Sequence, residues 1–444
     1  MKEIDRATDL QERRLFWRIT IRLVPFLFFC YVFAMIDRLN VGFAKLQFMA
    51  HLHLTEAVYG TAAGLLYLGY MLFELPSNLM LQRYGVRTTL LRIMVLWGGF
   101  TVALAFVSNR YEFYALRFLV GAAEAGFFPG IVLYLSYWFP EHMRGRASSL
   151  FVMAVPVSGV IGAPLATWIM TDLDGVFGLR GWQNVFVFEG IPAIVLGVVA
   201  YFFLTNRPRD AHWLLQEERR VVELRVSEKS RDSVKIQDAG PSRLRDALKS
   251  PVMYCLLICY FAFYCAENAV LVWIPTLLRS VGVSNLKDIG WISGGISVVS
   301  TVGLLTICFA SDRYAHHRRA HLIVCGVVTS ISLLLLPLGA KSIAITVVVL
   351  TVCSVFVFGF LALFWTVPSG YFKQQARAGG IALINSAGAL GGLLSPIFIG
   401  WVKDATGSFY YALGGLGAFF LASLLLLFFA IPRPAVHSTH EIVA

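Results

Sequence analysis

The sequence predicts an all-α integral membrane protein with twelve transmembrane helices in two pseudo-symmetric six-helix bundles. Its 444 residues are 58% hydrophobic and 14% charged, whereas soluble domains are about 45–50% apolar and about 25% charged. Twelve apolar stretches are each long enough to cross a bilayer as a helix. A long polar segment separates the first six from the last six, and the stretches are residues 20–43, 56–81, 88–108, 111–138, 147–170, 183–204, 252–278, 289–311, 320–340, 342–368, 378–402 and 409–431.

The distribution of basic residues predicts the orientation of these helices. Lysine and arginine favour the cytoplasmic side of a membrane. Most of the 37 in this chain fall on the side of the two termini, so we expect a multi-pass protein of the cytoplasmic (inner) membrane with both termini in the cytoplasm. The net charge of +11 is then a topology signal, and nothing in the pattern indicates nucleic-acid binding. The opposite side holds Lys45, Arg110, Arg180, Arg279, Lys287, Lys341 and Lys403.

The polar segment 205–251 predicts a cytoplasmic linker between an N-terminal bundle, 1–204, and a C-terminal bundle, 252–444. A regulatory platform is the alternative for this segment. A weak internal repeat supports the division: RYGVR begins at Arg83 and RYAHH at Arg313, while GVIGAP begins at Gly159 and GGLLSP at Gly391. Parallel repeats of this kind place a substrate site between the halves near the membrane midplane.

Four charges lie inside the first and fourth stretches. Arg117 and Glu124 are two helical turns apart and share a face, whereas the adjacent Asp37 and Arg38 point about 100° apart. Each charge at bilayer depth costs about 2.5–3.5 kcal/mol on insertion scales. Such charges persist when they pair with one another and face a water-accessible cavity, and balanced acids and arginines suit an anion and a proton. The pattern predicts a proton-coupled carrier of organic anions.

Five segments along nearly the whole chain resemble the anion:cation symporter branch of the major facilitator superfamily. The resemblance implies the major facilitator fold, import of an organic anion together with protons, and a substrate such as a sugar acid, tartrate, phthalate, nicotinate or a hydroxyphenyl acid. The segments are IDRLNVGFA from Ile36, GYMLFELPSNL from Gly69, RFLVGAAEAGFFPGIVLYLSYWFP from Arg117, GWQNVFVFEGIPA from Gly181 and HWLLQEER from His212.

Candidate roles follow from the residue types and from this resemblance. Glu124 is the first choice for the coupling proton, because burial favours the protonated form of a carboxyl group and a nearby arginine opposes it. Asp37 is the second choice. Arg117 is the best candidate for the substrate carboxylate, since guanidinium offers a bidentate fork. The resemblance further assigns substrate or gating contacts to Arg38. It also implies cavity positions for Tyr70, Trp365 and Asn385.

Each of these residues has a structural alternative, such as a permanent Glu124–Arg117 ion pair that only braces the fourth stretch. Glu267 is a possible third acid near the cavity, with Tyr264 beside it, and either could tune substrate choice. We expect Glu74 and Glu189 to be structural. The superfamily's gating pattern is retained only in part, with Ala315 replacing a glycine in the second copy; the retained residues are Arg83, Gly85, Arg87, Asp312 and Arg313.

Several protein classes lack support in the sequence. No P-loop, HExxH or catalytic-serine motif is present, so we expect neither an enzyme nor an ATP-driven pump. We expect no cofactor, with transport driven by the proton gradient. We also expect no metal site and a monomer in the lipid bilayer. A proton-independent facilitator or antiporter, a receptor that senses an organic acid, and a membrane-embedded enzyme remain the alternatives. We expect Pro156, Pro164, Pro368 and Pro396 to kink their helices.

Overall fold

The computed structural model describes residues 2–232, 248, 250–314, 317–339, 342–371 and 374–430. Every regular element in these ranges is a helix. Ala315 and part of the predicted linker lie outside them. The first helices are α1 (Lys2–Leu52), α2 (Glu56–Leu104), α3 (Arg110–Glu124), α4 (Phe127–Trp138), α5 (Glu141–Val152), α6 (Ala154–Asp172) and α7 (Gly181–Phe203).

The remaining helices follow the turn after α7. They are α8 (Gln216–Asp232), α9 (Pro251–Leu271), α10 (Ile274–Ser280), α11 (Leu286–Arg313), α12 (Arg318–Leu335), α13 (Ile343–Phe364), α14 (Thr366–Tyr371), α15 (Gln374–Thr406) and α16 (Tyr410–Ala430). Helices α1–α7 form the N-terminal bundle and α9–α16 form the C-terminal bundle. Among the described residues, eleven helical segments are long and apolar enough to cross a membrane.

Helix α2 accounts for the difference from the twelve predicted spans. Its 49 residues would extend about 74 Å at 1.5 Å per residue, more than twice the roughly 30 Å hydrocarbon core. The helix is interrupted at Gly85, where φ is 82° and ψ is 169°. Arg92 donates a hydrogen bond to Ser77, on the other side of this interruption. A straight helix would separate those residues by about 22 Å, so the chain reverses at Gly85 and α2 crosses twice.

Prolines explain several helix breaks. A proline removes a backbone hydrogen bond and its ring clashes with the carbonyl four residues earlier. Accordingly, α5 ends before Met153, three residues ahead of Pro156, and α13 ends before Trp365, three residues ahead of Pro368. Helices α6 and α15 continue through Pro164 and Pro396, so a kink at these two prolines remains a prediction.

The two bundles meet along two pairs of helices. The first part of α2 packs against α15, and α6 packs against α11. Small residues allow close approach at both contacts: Gly60 and Gly64 face the backbone of α15, and Gly290 and Gly294 face α6. These contacts place α1, α2 and α6 opposite α9, α11 and α13, so the region between the bundles is lined from both.

The described part of the linker is attached to the N-terminal bundle. The Trp213 ring stacks on the buried Trp138 ring with centroids 5.7 Å apart. In α8, Arg225 forms a 2.7 Å ion pair with Glu12, and Glu218 pairs with Arg18. The beginning of the linker therefore follows the N-terminal bundle as one unit with it.

Candidate functional site

A cavity of about 200 Å³ lies between the two bundles. It is smaller than the roughly 300–1,000 Å³ typical of pockets for drug-sized ligands, so it suits a small solute. Most of its wall is apolar, with Met35, Phe43 and Leu361 as examples. The polar side chains on the wall are Tyr31, Arg38, Tyr67, Tyr264, Glu267, Asn268, Ser158, Ser293, Ser297, Ser300 and Ser354.

Helix α1 directs its two adjacent charges to different places. Arg38 is on the cavity wall, with 28% of its side chain exposed. Its Nε donates to both Glu124 carboxylate oxygens, at 2.9 and 3.1 Å, and its guanidinium lies 5.2 Å from the centroid of the Tyr70 ring. Asp37 is buried and accepts a 2.9 Å hydrogen bond from Thr101 in the second crossing of α2. Only Arg38 can therefore meet a solute in this conformation.

Glu124 is the last residue of α3, immediately before a helix break. Ala125 is extended at ψ 133°, and Gly126 is left-handed at φ 84°. Pro129 explains the break, because its ring would clash with the Ala125 carbonyl in a continuous helix. The C-terminal end of a helix carries partial negative charge. A buried carboxylate at this position is therefore disfavoured unless a cation or a proton compensates it, and Arg38 is the cation present.

A second charge cluster is buried inside the N-terminal bundle. Arg117 interacts electrostatically with Asp37 rather than forming the ion pair with Glu124. Glu189 in α7 accepts a hydrogen bond from Asn40 and lies close enough to Asp37 and Arg117 to interact with both. The side chains of this region are each at most 4% exposed, namely Asp37, Asn40, Arg117, Glu124 and Glu189. Arg117 does not line the cavity, although the sequence made it the first candidate for the substrate carboxylate.

The C-terminal bundle contributes the opposite wall of the cavity. Tyr264, Glu267 and Asn268 in α9 line it, and Asn268 accepts a 2.6 Å hydrogen bond from Tyr67 of the N-terminal bundle. Trp365 lies at the break between α13 and α14, with its ring 4.9 Å from that of Tyr260. Trp365, Asn385 and Tyr70 are half-buried and lie outside the cavity wall, so their predicted contacts with substrate remain predictions.

The predicted gating residues lie at turns of their own bundles, and two of them, Arg87 and Asp312, bind residues of the same bundle. Gly85 provides the left-handed turn in α2, and Arg87 donates from Nε to the Tyr201 carbonyl at 2.6 Å. Asp312 forms a 2.8 Å ion pair with Arg318. Arg83 and Arg313 are exposed. A gating role for these five residues remains a prediction.

The bundles are joined at the end opposite the termini. Both oxygens of Asp404 in α15 accept backbone N–H groups at the start of α2, from Glu56 at 3.2 Å and Ala57 at 2.9 Å. Lys45 is buried, pairs with Glu56 and donates a 3.0 Å hydrogen bond to Thr276 of α10. Nearby, Lys287 of α11 forms a 2.7 Å ion pair with Asp172 of α6. These contacts close the cavity toward this end.

Sequence reasoning did not select Tyr67, Asn268 or Lys45, and it treated Glu189 as structural. Glu189 carries the same signal that selected Glu124, a carboxyl group in a long apolar stretch, and a count of buried charges would have included it. Tyr67 is one helical turn before Tyr70. Lys45 gave no such signal, because it follows the first span and reads as an ordinary solvent-exposed residue of the turn.

The comparisons with known proteins agree with this architecture. The family model for the Major Facilitator Superfamily matches residues 27–396 and 256–442. The chain belongs to this superfamily. It is 37% identical over 435 residues, 98% of this chain and 97% of the relative, to "Putative metabolite transport protein NicT" of Pseudomonas putida. It is also 38% identical over 424 residues, 95% of this chain and 91% of the relative, to "Putative tartrate transporter" of Agrobacterium vitis.

Solved structures show the same fold. A crystal structure of a D-xylose–proton symporter superposes with a TM-score of 0.73 at 17% identity, covering 94% of this chain and 98% of that one. The predicted fold class is thereby confirmed. This major facilitator chain is a multi-pass membrane transporter rather than an enzyme.

Proposed function

We propose that the protein imports a small organic anion together with protons across the cytoplasmic membrane by alternating access. The small size of the cavity and the Arg38 guanidinium on its wall, which is paired with Glu124, support a small anionic substrate. The names of the two relatives, "Putative tartrate transporter" and "Putative metabolite transport protein NicT", agree with this class. The asymmetry of basic residues supports an orientation with both termini in the cytoplasm.

The observation that carries proton coupling is an excess of buried carboxyl groups around the two arginines. Asp37, Glu124 and Glu189 surround Arg38 and Arg117, and the three acids are each at most 3% exposed. With every group ionised, one negative charge would be uncompensated. At about 2.5–3.5 kcal/mol per buried charge, its cost is roughly 3 kcal/mol. Bound protons remove this cost, so the cluster is suited to take up protons and release them as its surroundings change.

The Arg38–Glu124 pair gives the coupling a specific form. Protonation of Glu124 weakens its hold on Arg38, and the freed guanidinium then binds the substrate carboxylate on the cavity wall. The geometry favours Arg38 over Arg117 as the first contact, because Arg117 remains buried with Asp37 and Glu189. When substrate and proton leave, Glu124 pairs with Arg38 again. Asp37 is the second proton site, and Arg117 is the neighbouring cation that compensates its charge when the proton leaves.

The closed end defines the direction of access. Asp404, Lys45 and Lys287 join the bundles at the end opposite the termini. The charge distribution supports the periplasm as the location of this end. The conformation described is therefore the one whose periplasmic side is closed. Import requires these contacts to break in the alternate conformation. Each charge that crosses 100 mV gains about 2.3 kcal/mol, which corresponds to roughly fifty-fold accumulation.

Uptake into proteoliposomes tests this function. An imposed inward proton gradient should drive accumulation of a labelled organic acid by the wild-type protein. Glu124→Gln should abolish accumulation and retain exchange of substrate between the two sides, because the amide cannot change protonation. Glu223→Gln, on the exposed surface of α8, is the matched control and should behave as wild type. Full accumulation in Glu124→Gln, or wild-type uptake that ignores a collapsed gradient, would favour a proton-independent facilitator or antiporter.

A further inference from the structure

Glu267 is a buried acid that the coupling scheme does not use. It lies on α9, on the cavity wall opposite α1, and it is 9% exposed. Within the described ranges, no hydrogen bond or ion pair reaches its carboxylate. A buried charge without a partner is costly, so a group that enters the cavity and satisfies this carboxylate would be strongly favoured.

Within the described residues, none of the cavity-lining neighbours donates a hydrogen bond to Glu267 in this conformation. Asn268 is already occupied, since its Nδ2 donates to the Tyr264 carbonyl at 3.0 Å and its Oδ1 accepts from Tyr67. Arg38 is the cation on the facing wall, and Glu124 engages its Nε. Three of the five serine hydroxyls on the wall donate to their own helices, namely Ser158, Ser297 and Ser300. Among the described residues, the hydroxyls of Ser293 and Ser354 have no hydrogen-bond partner, and neither donates to Glu267.

The cavity is therefore polarised across its width. One wall presents a guanidinium that becomes available when Glu124 is protonated, and the other presents an unsatisfied carboxylate. The remaining surface is mostly apolar. A ligand complementary to this arrangement has a carboxylate at one end and a hydrogen-bond donor at the other. A dicarboxylate with both ends ionised would bring a like charge against Glu267, which is unfavourable at close range.

We propose that Glu267 is a specificity-determining residue that selects monocarboxylic acids bearing a donor group, a hydroxyl or a protonated amine, opposite the carboxylate. This inference rests on the proposed function, because it assumes that an organic anion binds between the bundles. The carboxylate of the substrate contacts Arg38, and its donor group contacts Glu267. The same residue excludes acids whose far end is a second carboxylate, so the substrate of this chain would differ from tartrate, the diacid in the name of one relative.

Two matched ligand series test the proposal by thermal shift on the purified protein. The aromatic series is benzoate, 4-hydroxybenzoate, 4-(aminomethyl)benzoate and terephthalate. The aliphatic series is butyrate, 4-hydroxybutyrate, 4-aminobutyrate and succinate. A ligand stabilises the folded protein according to its affinity. In at least one series, the donor-bearing acids should stabilise the wild-type protein more than the parent acid, and the diacid should stabilise it least. The hydroxyl and amine members show which donor is preferred.

The variant Glu267→Gln should change this order. The preferred donor-bearing acid should lose affinity by about tenfold or more, as expected for a lost hydrogen bond to a charged group, and the diacid should gain affinity. Glu267→Asp should restore part of the selectivity, and Glu223→Gln should leave it unchanged. The melting temperature without ligand reports whether each variant is folded. If Glu267→Gln does not fold, the order in which the ligands stabilise the wild-type protein decides the proposal on its own.

Three outcomes would overturn the proposal. Diacids could stabilise the wild-type protein at least as well as donor-bearing acids. The order could be the same in Glu267→Gln as in wild type while proton-driven accumulation is lost, which would make Glu267 a proton site. Finally, no acid of either series could bind, although proteoliposomes still transport another organic anion. Failure of the proposed function itself is distinguishable, because no organic anion would then be transported at all.

Discussion

Asp404 offers a direct test of how the bundles are held together at the closed end. Its carboxylate caps the start of α2 from the other bundle, accepting the N–H groups of Glu56 and Ala57. The partial positive charge of a helix N-terminus strengthens such a contact. Loss of an N-terminal cap costs about 0.5–2 kcal/mol. Asp404→Ala should therefore increase the population open at this end by roughly twofold to thirtyfold, at 1.36 kcal/mol per tenfold.

Hydrogen–deuterium exchange can separate a local effect from a movement of whole bundles. Faster exchange at Glu56 and Ala57 is expected in any case, because these amides lose their acceptor. If the bundles separate as units, amides in the last part of α6, which packs against α11, should also exchange faster by a similar factor. Asp288 is an exposed acid at the same end. The matched control Asp288→Asn should therefore leave amide exchange at Glu56 and Ala57 as it is in the wild type. Faster exchange confined to the start of α2 would refute bundle separation.

Two further predictions concern the site and the fold. Arg38→Lys keeps the charge but removes the Nε that donates to Glu124 and the planar fork available to a substrate carboxylate, so KM for the transported acid should rise roughly tenfold to hundredfold. An unchanged KM in proteoliposome uptake would place the carboxylate contact elsewhere. Gly85→Ala should lower the free energy of unfolding by at least roughly 1–2 kcal/mol, because φ is 82° and the new Cβ would meet the Asn206 side chain. Gly99→Ala, where nothing lies within 4 Å of the new Cβ, should not lower the melting temperature, and an equal loss in both would contradict the argument.

The helices were largely predictable because lipid imposes a simple rule on the sequence. Each crossing must bury its backbone groups in a helix and present apolar side chains outward. The prolines in the sequence also encode the helix breaks. Pro156 and Pro368 were expected to kink their helices, whereas Pro129, which explains the break after Glu124, was not considered.

The partners of the buried charges were less predictable. Arg117 and Glu124 are seven residues apart on one helix, and this spacing suggested an ion pair. The structure instead pairs Glu124 with Arg38, which is 86 residues away. The α3 break at Ala125 directs Glu124 toward α1, and the packing of α1 against its neighbours decides which guanidinium is near. Such contacts depend on tertiary packing, which spacing along one helix does not contain.

Movement of protons with the substrate is the most direct test of the central claim. Wild-type proteoliposomes can be placed in weakly buffered medium with the same pH inside and outside. An inward gradient of the substrate alone is then applied. The account predicts that the external medium becomes more alkaline as the organic acid enters, and that Glu124→Gln abolishes this change while substrate exchange continues. Entry of the acid without any change in external pH would show that the buried carboxyl groups do not carry protons.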